Sequence, residues 1–295
     1  MKSLLDSLKN NRVLISDGAW GTLLIERGLK PGECPELWNI THRPEVFSVA
    51  KSYIDAGADI ILTNSFGGSP IKLKHFGLEN RAEELNLAAA AISRKAAGED
   101  HFVLGSIGPT GVILMMGEVP EQKLYEGFCI QAESLKKGGV DAICVETMSA
   151  LDEACLAVKA AKTVTNLEIV CTFTFEKTVN GSYRTMMGVS PAEMVNELKA
   201  AGASVIGANC GNGFDQMIEI VKEIRKVDSN IPVLVHANAG KPVIIEGKTV
   251  FPETPETMAE KFHALVKSGA NIIGGCCGTT PGHIHALAHA LKVKQ

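Results

Sequence analysis

The stretch Ala201-Gly202-Ala203-Ser204-Val205-Ile206-Gly207-Ala208-Asn209-Cys210-Gly211 reads as the end of a helix, a short buried strand, and a polar residue where that strand gives out. Glycine at its second position supplies the left-handed residue that stops a helix. The run that follows has no polar alternation, as expected of a strand covered on both faces. The phrase recurs. Ala56-Gly57-Ala58-Asp59, Gly138-Gly139-Val140-Asp141 and Ser268-Gly269-Ala270-Asn271 each stand directly before another apolar run. Eight such runs follow one another: Val13–Asp17, Asp59–Thr63, Phe102–Ile107, Asp141–Glu146, Glu168–Phe175, Ser204–Asn209, Pro232–Asn238 and Asn271–Gly275. The four phrases precede the second, fourth, sixth and eighth, which suggests a two-strand repeat. Between the runs, apolar residues return at helical spacing, as in Val46, Val49, Ala50, Tyr53 and Ile54. Ser190-Pro191 and Thr280-Pro281 place a capping hydroxyl before a helix-opening proline. Eight β-α units with no linker or low-complexity break predict an α/β fold: a single (β/α)8 TIM barrel forming one domain over residues 1–295. A doubly wound open sheet is the structural alternative.

Composition narrows the function. The 295 residues are 45% hydrophobic and 21% charged with a formal net charge of -4, and no Lys/Arg-rich block occurs, which argues against nucleic acid as a partner. The apolar runs fall far short of a membrane span. The start, MKSLLDSLKN, has acidic and polar residues where a signal peptide carries an apolar core, so a cytoplasmic location is expected. Eight cysteines are scattered without a disulfide framework. Cys144 and Cys171 in strand-like runs, and Cys129 and Cys155 in helical ones, read as small core residues; Cys34 lies in a loop with no role assigned.

Barrel chemistry is built where strands run into the loops that follow them. Those positions are Asp17, Asn64, Ser106, Glu146, Phe175, Cys210, Asn238 and Cys276-Cys277. No lysine stands at a strand end, which disfavours Schiff-base chemistry, and no glycine-rich phosphate cradle is convincing. Cys276 and Cys277 sit between Gly274-Gly275 and Gly278, and Cys210 ends strand six in the same manner. Strands six and eight flank seven, so the three sulfurs lie within reach of one ion. Three thiolates with an open fourth position describe a catalytic zinc site; three cysteines buried in a packed sheet is the bland alternative. His283, His285 and His289 are a rival ligand set on a helix expected to lie outside the strands. His42, His75, His101, His236 and His263 read as surface or satisfied core residues.

Asp17-Gly18-Ala19-Trp20-Gly21-Thr22, Asn209-Cys210-Gly211 and Gly274-Gly275-Cys276-Cys277-Gly278-Thr279-Thr280-Pro281 resemble the homocysteine S-methyltransferase family. Thr63-Asn64-Ser65-Phe66-Gly67, Gly108-Pro109-Thr110-Gly111, Glu146-Thr147 and Asn238-Ala239-Gly240-Lys241-Pro242 point the same way. The likeness covers residues 10–290 and, within the family, most resembles the homocysteine-binding module of cobalamin-dependent methionine synthase. It implies Zn²⁺ on Cys210, Cys276 and Cys277, with the homocysteine sulfur as fourth ligand and methionine as product. Asn238 matches a residue that approaches zinc when substrate is absent. Asp17, Gly18, Ala19 and Glu146 match positions that hold the amino-acid end of homocysteine, joined by Asn64 and Ser106; Glu146 and the three cysteines form the implied catalytic set. Methionine synthase carries folate and cobalamin modules beyond this one and the sequence ends at Gln295. The methyl group is therefore expected from methylcobalamin on a separate corrinoid protein. A sulfonium donor such as S-methylmethionine, or a non-catalytic thiol-presenting module of a larger complex, are the other readings. Betaine-using relatives have a tyrosine where Thr147 follows Glu146, although Trp20, Trp38 and Phe66 offer cation–π surface.

Overall fold

In the computed structural model, which describes residues 3–245 and 248–293, all eight predicted strands form. They are β1 (Leu14–Ile15), β2 (Ile60–Leu62), β3 (Phe102–Ile107), β4 (Ala142–Met148), β5 (Glu168–Phe173), β6 (Val205–Asn209), β7 (Val233–Ala237) and β8 (Ile272–Gly275). All pair in parallel in the order β1-β8-β7-β6-β5-β4-β3-β2. A parallel bridge from Ser16 to Ile60 joins the first and last members. That closure rejects the open-sheet alternative, which would leave β1 and β2 as free edges.

The strands are followed by α1 (Arg43–Asp55), α2 (Ala82–Ala97), α3 (Glu121–Lys137), α4 (Leu151–Thr165), α5 (Pro191–Ala201), α6 (Phe214–Val227), α7 (Pro255–Ser268) and α8 (Pro281–Lys292). Strand parity divides the core. Leu14, Ile60, Leu62, Phe102, Leu104, Cys144, Val170, Val205, Leu234 and Ile272 fill the cylinder, whereas Ile15, Ile61, Val103, Ile143, Ile169, Ile206 and Ile273 pack outward against the helices.

The repeated phrase does two jobs. Gly57, Gly139, Gly202 and Gly269 take φ of 99°, 98°, 101° and 113°, the left-handed region that ends each helix. In three of the four phrases the last residue then ties the incoming strand to its predecessor. Asp59 Oδ2 accepts from Ile15 N at 2.9 Å, Asp141 Oδ2 from Val103 N at 2.8 Å, and Asn271 Oδ1 from Val233 N at 2.9 Å. Each bond ties a backbone amide in the first two residues of one strand to the residue that leads into the next, which gives the two-strand period a physical basis. At the same end, Ser3 Oγ and Leu4 N donate to the Glu168 carboxylate, both at 2.6 Å. This seats Leu4 and Leu8 in the interior cluster and stoppers the barrel from below. Access is left to the C-terminal face.

Two loops on that face hold antiparallel ribbons absent from the sequence reading: Glu176–Lys177 with Tyr183–Arg184, and Val243–Ile245 with Lys248–Val250. β5 stops at Phe173, short of the expected Phe175, whose ring stacks on Phe173 in the core with centroids 6.2 Å apart. Among the described residues no helix is long and apolar enough to cross a membrane.

Candidate functional site

Three backbone bonds gather the cysteines around the end of β7. Cys210 N donates to His236 O at 2.9 Å, Cys276 N to Ala237 O at 2.6 Å, and Ala239 N to Cys277 O at 3.0 Å. Cys210 itself is left-handed, with φ 63°, a conformation that costs a non-glycine residue on the order of 1–3 kcal/mol and concentrates at functional sites. The outcome is that all three sulfurs lie within 4.8 Å of one another, with Cys210 Sγ and Cys277 Sγ 3.7 Å apart. A disulfide would bring them to about 2.05 Å. Two thiolates bound to a tetrahedral ion at about 2.3 Å stand about 3.8 Å apart. The spacing thus fits a shared tetrahedral metal, and a purely sulfur donor set selects zinc over magnesium or calcium. The Cys210 thiol is pushed down to about 3, first by thiol donation from Cys276 and then from Cys277. Cys277 is pushed up to about 11 and Cys276 well above the ordinary thiol range, each first by its bond to Cys210. The cluster thus holds one thiolate, on Cys210, hydrogen-bonded by the other two thiols.

The sulfurs open onto a cavity of about 430 Å³ at the C-terminal mouth of the barrel. Two carboxylates share it. Asp17, at the end of β1, accepts from Leu62 N and Trp20 Nε1, both at 2.8 Å. Glu146, on β4, accepts from the Ser106 hydroxyl. Burial pushes both carboxyls up to about 7, and an entering cation would draw them back toward their ionised forms.

Of the residues singled out from the sequence, Asp17, Gly18, Ala19, Asn64, Ser106, Glu146, Cys210, Cys276 and Cys277 all line this cavity. Asn238 does not. It is bonded to the Cys210 sulfur, with its Oδ1 buried and unpartnered. Ala19 spends both of its backbone groups on the protein, its amide on Thr279 Oγ1 at 3.1 Å and its carbonyl on Tyr53 OH at 2.9 Å. Asn64 donates to Pro35 O at 2.8 Å and to Asn39 Oδ1 at 3.1 Å, holding the loop that roofs the cavity. Of the aromatic residues, Trp20 and Phe66 line the cavity, whereas Trp38 is buried in a stack on His42.

The histidine trio fails as a ligand set. His283 caps α8 through Thr280 and reaches Glu253 O, while His285 and His289 are exposed on the outer surface. Among the described residues the three cysteines are the one cluster with metal-ligand geometry. Sequence reasoning missed His236, Asn209 and Thr279. His236 points inward from β7 and lines the cavity; burial pushes its imidazole down to about 4, and its Nε2 has no partner. Thr279, fully buried, accepts from Ala19 and donates to Cys276 O at 2.7 Å. Its place directly after Gly278 was the available signal. A larger groove of about 900 Å³ runs along the starts of α2 and α3, lined by Lys74, Glu83, Lys123 and Glu126, away from the strand ends.

The family model for homocysteine S-methyltransferase matches residues 14–291. The methionine synthases of Mycobacterium leprae (strain TN) and Mycobacterium tuberculosis (strain ATCC 25618 / H37Rv) are each 32% identical over 307 residues, an alignment that covers 98% of this chain and 25% of theirs. The chain thus spans about a quarter of the length of the curated relatives it matches. Among solved structures, the metallated form of the homocysteine methyltransferase MmuM from Escherichia coli superposes with a TM-score of 0.79 at 23% identity, covering 97% of this chain and 99% of that one. The oxidized form gives 0.76 at 24% identity, covering 97% and 98%. These matches establish a shared fold.

Proposed function

Because the chain belongs to the homocysteine S-methyltransferase family, we propose that it methylates the sulfur of homocysteine to give methionine, with Zn²⁺ on Cys210, Cys276 and Cys277 and the methyl group delivered by a methyl-corrinoid on a separate protein. The observation that carries this reading is the convergence of three sulfurs on one wall of a small cavity whose other wall holds two buried carboxylates. A zinc ion there would supply the lowered thiol pKa that makes a sulfur nucleophilic near neutral pH.

The chain's own residues do the rest. Asp17 and Glu146 hold the ammonium of the substrate, whose charge offsets the burial that otherwise favours their neutral forms. Ser106 fixes the rotamer of the Glu146 carboxylate. Gly18 and Ala19, which line the same cavity, are assigned to the carboxylate end of the substrate. With both ends of the amino acid held, its sulfur is presented to the cysteine wall and the reaction gains the orientation term of an intramolecular step. Asn238, bonded to the Cys210 sulfur, is proposed to move toward the metal when no substrate thiol is present.

Turnover decides the donor. The purified protein with Zn²⁺ and homocysteine is expected to demethylate free methylcobalamin and to release methionine. Turnover of S-methylmethionine without methylcobalamin would replace the corrinoid donor by a sulfonium; no turnover with either would leave a thiol-presenting module.

A further inference from the structure

Four described non-glycine residues have positive φ, and two of them, Asn10 and Asn166, are asparagines, the residue that tolerates it best. The other two are Thr147, at φ 64°, and Cys210. Threonine is β-branched and has no intrinsic reason to sit there. Thr147 directly follows Glu146, and the β4–β5 register breaks between Val145 and Met148. What holds it is Asn209. The fully buried Asn209 side chain accepts from Thr147 N at 2.9 Å through Oδ1 and donates to Thr147 Oγ1 at 2.8 Å through Nδ2. Oδ1 also accepts from Thr172 Oγ1 at 2.7 Å, which fixes the orientation of the amide. β4 and β6 are not neighbours; β5 lies between them. Asn209 therefore reaches past β5 to grip the residue after Glu146, while its own chain passes immediately into Cys210.

We propose that Asn209 is a positioning residue that sets the span between the Glu146 carboxylate and the Cys210 sulfur, and thereby the chain length of the amino-thiol the site accepts. This rests on the acceptor reading above. With the clamp intact, an ammonium at Glu146 and a sulfur at the cysteines must be separated by one fixed number of methylenes. Without it, Thr147 relaxes to an extended conformation and Glu146 shifts along β4, while the cysteines, held by their bonds to β7, stay in place.

The test is calorimetric binding of three thiols to the zinc-loaded protein: homocysteine, cysteine, which is one methylene shorter, and 4-mercaptobutyrate, which lacks the ammonium. In Asn209→Ala, homocysteine should bind about tenfold more weakly, the size of a lost charge-assisted contact. Its preference over cysteine should shrink by a similar factor, while 4-mercaptobutyrate affinity and zinc stoichiometry hold. Thr147→Gly keeps the amide donor and takes φ 64° without strain, so it should retain the wild-type preference. Equal weakening of all three thiols, loss of zinc, or an unchanged homocysteine-to-cysteine ratio in Asn209→Ala would overturn the proposal. Should that variant fail to fold, Thr172→Val removes the hydroxyl that orients the amide, and its ratio must fall for the proposal to stand. Hydrogen exchange of the Thr147 amide reads the clamp without any ligand: rapid exchange in the wild type overturns it. A protected amide in a protein that binds none of the thiols faults the acceptor reading instead.

Discussion

Replacing Thr279 by valine keeps the shape of the side chain and removes one hydroxyl. That hydroxyl accepts from Ala19 N at 3.1 Å and donates to Cys276 O at 2.7 Å, joining the first βα loop to the last. The joint is crowded: a Cβ on Gly275 would lie 2.2 Å from Thr279 Oγ1, and one on Gly18 2.7 Å from it. No water can replace the hydroxyl there, and Ala19 N is left as a buried donor without an acceptor. Cys276 O keeps one partner, Thr279 N at 3.1 Å. An orphaned buried amide costs about 1–3 kcal/mol, whereas a carbonyl reduced from two bonds to one costs less; the extra apolar burial of valine offsets up to about 0.8 kcal/mol. The expected net loss is about 2 kcal/mol. At about 2.1 cal/mol/K per residue, that lowers Tm by about 3 °C in a chain of 295 residues. Calorimetric melting of the zinc-loaded protein measures it. Thr279→Ser, which keeps the hydroxyl and loses a buried methyl, should cost about 1 kcal/mol and leave homocysteine affinity at the wild-type value, while valine weakens it by letting Gly18 and Ala19 drift. A valine variant as stable and as tight-binding as the wild type would refute the reasoning, because the hydroxyl would then not be the tie.

Cys276→Ser should lower zinc affinity by more than about 100-fold, beyond the loss typical of a residue that only supports a ligand, and abolish turnover. Its far-UV circular dichroism should stay near normal, since the barrel core is built from other residues; a collapse of the fold would assign the metal a structural role. Glu146→Gln should change the pH dependence of stability. The folded-state carboxyl, raised by burial to about 7 from an ordinary 4.5, is protonated across a window in which the unfolded chain is ionised. The wild type therefore loses stability as pH rises from about 4.5 to 7, by up to about 3 kcal/mol. The variant lacks that loss, so its stability relative to wild type should climb through this window and level off above it; parallel curves would show that Glu146 does not titrate there.

The barrel was legible because its rules are local. A glycine that stops a helix and an aspartate that caps the preceding strand recur in sequence, and the two-strand period they mark is physically present at Asp59, Asp141 and Asn271. The thiols were legible as a set because strand ends in such a fold share one face. The parts that were not legible depend on register and on contacts across strands. His236 sits among apolar residues, and only the closed ring sets it on the inner face of β7. Asn209 reads as an ordinary strand terminus until β4 and β6 are placed on either side of β5. The ribbon strands 176–177 with 183–184 and 243–245 with 248–250 are two or three residues long, too short for a period to show, and the bond from Asn238 to the Cys210 sulfur is a contact between strands.

The hoop of strands is weakest where its ends meet. β1 has two residues, β2 has three, and one bridge, Ser16 to Ile60, spans the seam between them. Two aspartates rivet that seam, Asp59 at the lower rim and Asp17 at the upper, through Leu62 N. The upper rivet is also the group to which the guest's ammonium is assigned. Since an ionised carboxylate grips an amide harder than a neutral one, a cationic guest held at Asp17 as proposed would tighten the bond to Leu62 N, one of the few ties across the loosest joint of the cylinder.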